Sequence, residues 1–154
     1  MTMQQNYQST GSVYQNIGGY FNYLEKVWTD IQETRKVYRQ LKGNDKKDAL
    51  ELIYDYEKQL YRSVKWYMEK TNRKIKIKLD DGSTREISRE DLIDEQIAEI
   101  DKITKNQEFS VCSFTSSQII SIKKKLEIID EHIWMALGES GLLPKKGYSD
   151  GSTW

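Results

Sequence analysis

The amino-acid sequence predicts a mainly α-helical protein: a four-helix bundle-like unit of two helical hairpins, with a central β-hairpin insertion and extended N- and C-terminal arms. Three observations carry this expectation. Apolar residues recur at three- and four-residue spacing over most of the chain, whereas a stretch at 73–87 switches to strict alternation. The first 24 residues, Met1 to Leu24, hold no charged side chain although 31% of the protein is Asp, Glu, Lys or Arg. The expected organisation is an uncharged arm over 1–19, a helical domain over 20–143 with its hairpin at 73–87, and a second arm over 144–154.

The first arm is written in Gln, Asn, Ser, Thr, Gly and Tyr. It is too polar to form a core alone and too aromatic for a simple solvating tail, so Tyr7, Tyr14 and Ile17 are expected to anchor on a neighbouring subunit. Gly18-Gly19 lacks the preceding strand and following Lys-Ser or Lys-Thr of a phosphate loop, and reads as a hinge. Leu24, Val27, Trp28, Ile31, Val37, Tyr38 and Leu41 then share one helical stripe, ended by Gly43 as a left-handed terminator. Asn44 or Asp45 is placed to cap a second helix to about Thr71, with Leu50, Ile53, Tyr54, Leu60, Tyr61, Val64, Tyr67 and Met68 inward. The short connection makes these helices antiparallel neighbours.

From Lys74 to Leu79 lysine alternates with apolar residues, Asp80-Asp81-Gly82-Ser83 supplies a turn, and Thr84 to Ile87 returns. A two-residue Asp81-Gly82 turn would pair Ile77 with Glu86. One more loop residue would pair Ile77 with Ile87 and Lys78 with Glu86, which matches faces and charges better and is the expected register. Ser88 opens a third helix whose first turn holds Glu90 and Asp91, favoured there by the helix dipole, and whose stripe is Ile93, Ile97 and Ile100. It fades near Asn106. Thr115-Ser116-Ser117-Gln118 has the spacing of a capping box for a fourth helix with Ile119, Ile122, Leu126, Ile129, Ile133 and Leu137 inward, ending at Gly138 or Gly141 before Pro144.

Nine of the ten tyrosines precede Arg73, and thirteen of the sixteen isoleucines follow Thr71. A tyrosine ring has an apolar body and a polar tip, so the front helices are expected to offer a contact surface, the alternative being that their tyrosines rim the core.

No catalytic or metal site is expected, and no cofactor. His132 is the only histidine, the residue three before it is Ile129 rather than a carboxylate, and Glu131 points about 100° away on the helix. Cys112, the one cysteine, lies among Phe109, Val111 and Phe114 and reads as a small hydrophobe; only His132 could activate it. The carboxylates of the third and fourth helices read as solvated faces.

The 24 basic and 24 acidic residues cancel, removing the net positive field that draws proteins to nucleic acid or anionic membrane. There is no apolar run near the ~20 residues a membrane span needs, and no basic-then-apolar leader. The expected function is therefore non-enzymatic: a structural or assembly subunit of a larger, virion-type ring, neck, coat or connector complex, cytoplasmic or in a virus particle assembled there. Its partners would be protein subunits in a homo- or hetero-oligomer, met by Tyr7, Tyr14, Ile17, Tyr148 and Trp154. The alternative is a small helical accessory protein that binds nucleic acid or a nucleoprotein complex through Lys74, Lys76, Lys78 and Arg85. Against that alternative stands the use of lysine to keep an exposed strand edge soluble.

Overall fold

In the computed structural model the described residues are 13–139 and 154, with side chains described from 22 onward. Four helices and one antiparallel hairpin account for them: α1 (Val13–Tyr38), α2 (Gly43–Thr71), β1 (Lys74–Lys78), β2 (Thr84–Ser88), α3 (Arg89–Thr104), a 3₁₀ turn (Phe109–Val111) and α4 (Ser116–Glu139). No helix among the described residues is long and apolar enough to cross a membrane.

Helix α1 begins before the expected boundary. Its backbone takes in Gly18 and Gly19, so the glycine pair is not a hinge. Ile17, Tyr20, Phe21 and Leu24 fall at helical spacing and extend the Leu24 stripe backwards, a pattern that overrides the roughly 1 kcal/mol each glycine costs a helix. Leu24, Val27, Ile31 and Tyr38 are buried as expected, and Trp28 and Leu41 pack at the core's margin. Val37 is instead 49% exposed, since it lies one residue, about 100°, from Tyr38. Gly43 does adopt a left-handed φ of +59°, but it starts α2; no side chain caps that helix at Lys42.

Helix α2 packs along α1 on one side and α4 on another, and α3 closes against α4. Leu50, Ile53, Tyr54, Leu60, Tyr61, Val64 and Met68 are buried along α2, whereas Tyr67 stays half-buried. Two tyrosines lock α2 to α3 in the same way. The Tyr54 hydroxyl donates to Asp101 Oδ1 at 2.8 Å and lies 3.3 Å from the Ile97 carbonyl; the Tyr61 hydroxyl donates to Asp94 Oδ1 at 2.8 Å and lies 3.1 Å from the Glu90 carbonyl. The seven-residue step recurs in opposite directions on the two helices, which fixes them as antiparallel. Burial, reinforced by the aspartates, pushes both phenols above their ordinary range. Tyr38, Tyr54 and Tyr61 therefore serve the core rather than an outer surface.

The hairpin takes neither expected register. Ile75 pairs with Ile87, Lys76 with Glu86 and Ile77 with Arg85. The loop is Asp80-Asp81-Gly82: Gly82 N donates to Leu79 O at 3.0 Å, Leu79 N to Ser83 O at 2.8 Å, and Gly82 sits at φ +88°. This is a turn followed by a left-handed residue, the usual three-residue hairpin connection, and Asp81 Oδ1 pins it by accepting from Ser83 N at 2.9 Å. An Ile–Ile and a Lys–Glu cross-strand pair of the kind sought from the sequence are kept, with the β1 partner two residues earlier, which preserves the faces.

Both expected helix starts in the second half are present. Ser88 Oγ accepts from Asp91 N at 3.1 Å. Thr115 Oγ1 accepts from Gln118 N at 3.1 Å while Gln118 Oε1 accepts from Thr115 N at 2.9 Å, a complete capping box. Helix α3 ends at Lys105, whose left-handed conformation aims its N–H at the last carbonyls. Ile93, Ile100, Ile122, Leu126, Ile129, Ile133 and Leu137 are buried; Ile97 and Ile119 are partly so.

Candidate functional site

Three charged residues occupy inward positions of the helical stripes. Arg35 lies between Ile31 and Tyr38 on α1, Glu57 between Ile53 and Leu60 on α2, and Asp130 between Leu126 and Ile133 on α4. They are 6%, 2% and 3% exposed and meet where the three helices converge. Glu57 is hydrogen-bonded to Asp130, and Asp130 Oδ1 accepts from the Trp134 indole N–H at 3.1 Å. Burial first, then the Asp130 charge, raise the Glu57 carboxyl well above the usual carboxylate range, with Arg35 opposing. The carboxyl therefore keeps its proton to higher pH than a free glutamate, and in that form it donates to Asp130. Its other oxygen, Oε1, has no hydrogen-bond partner, a deficit a neutral carboxyl tolerates and a buried carboxylate does not. Packing around the cluster leaves a void of only ≈ 10 Å³.

Trp154 covers this cluster. The ring is 7% exposed and stands edge-on to Tyr38, centroids 5.4 Å apart at 63°. The Arg35 guanidinium lies 5.1 Å from its centroid and the Lys123 ammonium 5.4 Å. The indole N–H donates to Glu127 Oε2 at 3.2 Å, and Lys123 Nζ donates to the Trp154 carbonyl at 2.9 Å. Lys123 also sits 4.4 Å from the Tyr38 ring, with Lys46 at 4.6 Å. Burial, then Lys46, pull the Lys123 ammonium below its ordinary range. The result is a seat for one aromatic side chain and the carbonyl of the same residue, built by α1 and α4 and steadied by Lys46 of α2.

The other expected contact residues are placed as follows. Tyr7 and Tyr148 lie outside the described residues; Tyr14 and Ile17 lie on α1, ahead of the described side chains. Trp154, expected on a neighbouring subunit, has its contacts within its own chain. Lys74, Lys76 and Lys78 are exposed along one face of β1. Arg85 is not with them: it stands on the opposite face, held bidentately by Glu95 at 3.0 and 2.6 Å. The open depression of ≈ 360 Å³ at the hairpin root is lined by Glu86, Asp91, Asp94 and Glu95 beside Lys74 and Arg85, a surplus of acid.

His132 is half-buried, and Arg89 Nη1 donates to its Nδ1 at 2.6 Å. A guanidinium cannot accept, so Nδ1 is the acceptor and the ring proton is on Nε2. Burial and the Arg89 charge bring its pKa down to about 4. Arg89 also donates to Glu139 Oε2 at 2.7 Å, tying the start of α3 to the end of α4. Cys112 Sγ lies 3.4 Å from the Glu108 carbonyl, in a loop that sends Phe109 into the core and Phe114 edge-on to it at 5.6 Å. Among the described residues no group of three or more His, Cys, Asp and Glu is arranged to hold a metal.

Apolar periodicity passes over Arg35, Glu57 and Asp130, but their positions on three inward stripes were a signal. Comparison with family models, with curated proteins and with solved structures gives no match to this chain.

Proposed function

We propose that this protein is a non-enzymatic assembly subunit of a larger, virion-type complex of the ring, neck, coat or connector kind, using terminal segments as its connecting parts. The observation that supports this is the Trp154 seat. A residue separated from its helix by the segment 140–153 docks by ring stacking, two cations and two directed hydrogen bonds. Such a site recognises an indole ring together with its backbone carbonyl, and arms that dock on a preformed bundle add contact area without remaking its core. Light scattering on the eluting full chain, over a range to about 1 mM, tests the reading. Oligomers that shrink when residues 1–12 are deleted are expected; one 18.2 kDa species at every concentration would refute self-assembly.

The exposed lysine face of β1 supports a second reading, contact with nucleic acid. Salt-sensitive retention on DNA or RNA that disappears in a Lys74→Glu/Lys76→Glu/Lys78→Glu variant is its signature. Retention that ignores salt would exclude it.

A further inference from the structure

The Trp154 seat is assembled only from residues remote in sequence from the tryptophan. Its hydrogen-bonding partners Glu127 and Lys123 are 27 and 31 residues away, and the ring's other neighbours, Arg35 and Tyr38, stand on α1. Nothing in the contact set requires ring and seat to share a chain. The connecting segment does not require it either. Lys123 stands about 24 Å back along α4 from Glu139, at 1.5 Å per helical residue, whereas the segment from Glu139 to Trp154 reaches about 50 Å fully extended. That segment contains Gly141, Gly147 and Gly151, and its length allows the tryptophan to reach its own seat or one on an adjacent bundle.

We propose that the α1–α4 seat is an exchangeable docking site, filled in the assembled state by Trp154 of a second copy of this chain. Its role rests on the assembly reading above. In the isolated chain the seat is occupied by its own Trp154, which hides the ring and covers Arg35, Glu57 and Asp130. In the assembly the same stacking, cation–ring and hydrogen-bond contacts form between copies, so exchange conserves every contact and is driven by local concentration alone. A seat bearing Arg35 and Lys123 accepts the electron-rich indole face, and Glu127 selects for its N–H; a phenylalanine would lose that bond.

The test pairs two full-length variants. Trp154→Ala keeps the seat and lacks the ring; Lys123→Glu keeps the ring and sets a carboxylate against the Trp154 carbonyl, beside Glu127. Isotopically labelled Trp154→Ala protein is titrated with unlabelled Lys123→Glu protein to about 1 mM, the order of concentration that linked modules present to one another. Saturable amide shifts at Arg35, Tyr38 and Glu127 are expected, with none when the added protein is unlabelled Trp154→Ala. A silent seat throughout would overturn the proposal. If Lys123→Glu fails to fold, Lys123→Ala serves as the ring donor, with the same two outcomes. Failure here is distinct from failure of the assembly reading: a full chain that oligomerises over a silent seat refutes exchange alone, and a responsive seat on a full chain that stays monomeric refutes assembly alone.

Discussion

Replacing Glu57 by Gln should stabilise the protein at alkaline pH and leave it unchanged at acid pH. Glu57 is 2% exposed and hydrogen-bonded to Asp130, and burial with that neighbour raises its carboxyl well above the unfolded value of 4.5. Above pH 4.5 the unfolded chain releases this proton while the folded chain keeps it. The folded state then binds more protons, so stability falls as pH rises, by about 1.4 kcal/mol per pH unit until the folded carboxyl itself ionises. Glutamine copies the shape of the protonated acid and can donate its amide N–H to Asp130 without titrating. Urea unfolding of both proteins from pH 4 to pH 9, followed by far-ultraviolet circular dichroism, gives the difference directly. The two curves should meet near pH 4, with the variant pulling ahead above 4.5 by about 1.4 kcal/mol per unit until the folded carboxyl ionises, where the gap levels off. Glu57→Ala serves as a control: it removes the donor and opens a cavity over Asp130, at a cost of about 2–4 kcal/mol. Parallel curves for wild type and Glu57→Gln would show that Glu57 is ionised in the folded protein and would refute the proton-sharing pair.

Other perturbations follow from single contacts. Thr115→Ala removes the acceptor of the α4 capping box and should cost about 1 kcal/mol in urea unfolding, with Gln118→Ala costing less because it spares the hydroxyl. Gly82→Ala meets no steric obstacle, so its cost of about 1 kcal/mol reflects the +88° φ alone, and Gly82→Asn should recover part of it. Tyr61→Phe deprives Asp94 and the Glu90 carbonyl of a donor and should lose about 1 kcal/mol; the Tyr61→Phe/Asp94→Ala double variant should show less than the sum. The single histidine gives one imidazole resonance set by NMR; it should titrate near pH 4, and Arg89→Gln should move that midpoint upward but not to 6.5, because burial persists.

The helices were legible because their stripes repeat apolar residues over many turns, and Ser88 and Thr115 announced two helix starts through side chains whose only common use at that spacing is to cap. The hairpin was legible as an element and not in register. Asp80-Asp81-Gly82-Ser83 admits several loops, and the choice falls to where Gly82 takes its left-handed turn and to the Ile75–Ile87 pair it aligns. Reading 1–19 as one arm failed at Val13 because an uncharged segment looks continuous by composition, while Ile17, Tyr20, Phe21 and Leu24 already carried the helical period. The charged cluster was missed for a related reason. A search for apolar positions discards an arginine and two acids, even when each lies three or four residues from buried neighbours on its own helix. Opposite charges on facing stripes of different helices are themselves a pattern, and Arg35, Glu57 and Asp130 would have stood out under it. The seat could not be read at all, since it joins Trp154 to residues of three helices that are neighbours only once the bundle has formed.

Asp130 and His132 stand two residues apart on α4, and their surroundings give the protein two opposing responses to pH. Asp130 faces α1 and α2, where burial and the Asp130 charge raise the Glu57 carboxyl; His132 meets Arg89 at the start of α3, where burial and the guanidinium lower its pKa to about 4. For Glu57 the folded pKa is raised, so its stabilising contribution is complete below 4.5 and is lost as pH rises. For His132 the folded value is lowered from 6.5 to about 4, so its contribution is complete above 6.5 and is lost as pH falls toward 4. Between 4.5 and 6.5 the two slopes oppose each other, the histidine term being the weaker because the ring is partly exposed to solvent. Above 6.5 the histidine no longer contributes to the slope. His132→Gln should therefore differ from wild type only below pH 6.5, with its stability falling less steeply on acidification, and Glu57→Gln only above 4.5, with its stability falling less steeply on alkalinisation. If the two difference curves had the same sign of slope, one of these groups would carry its charge inside the folded bundle, and the assignment of a protonated Glu57 beneath Trp154 and a neutral histidine beside Arg89 would have to be reversed for that group.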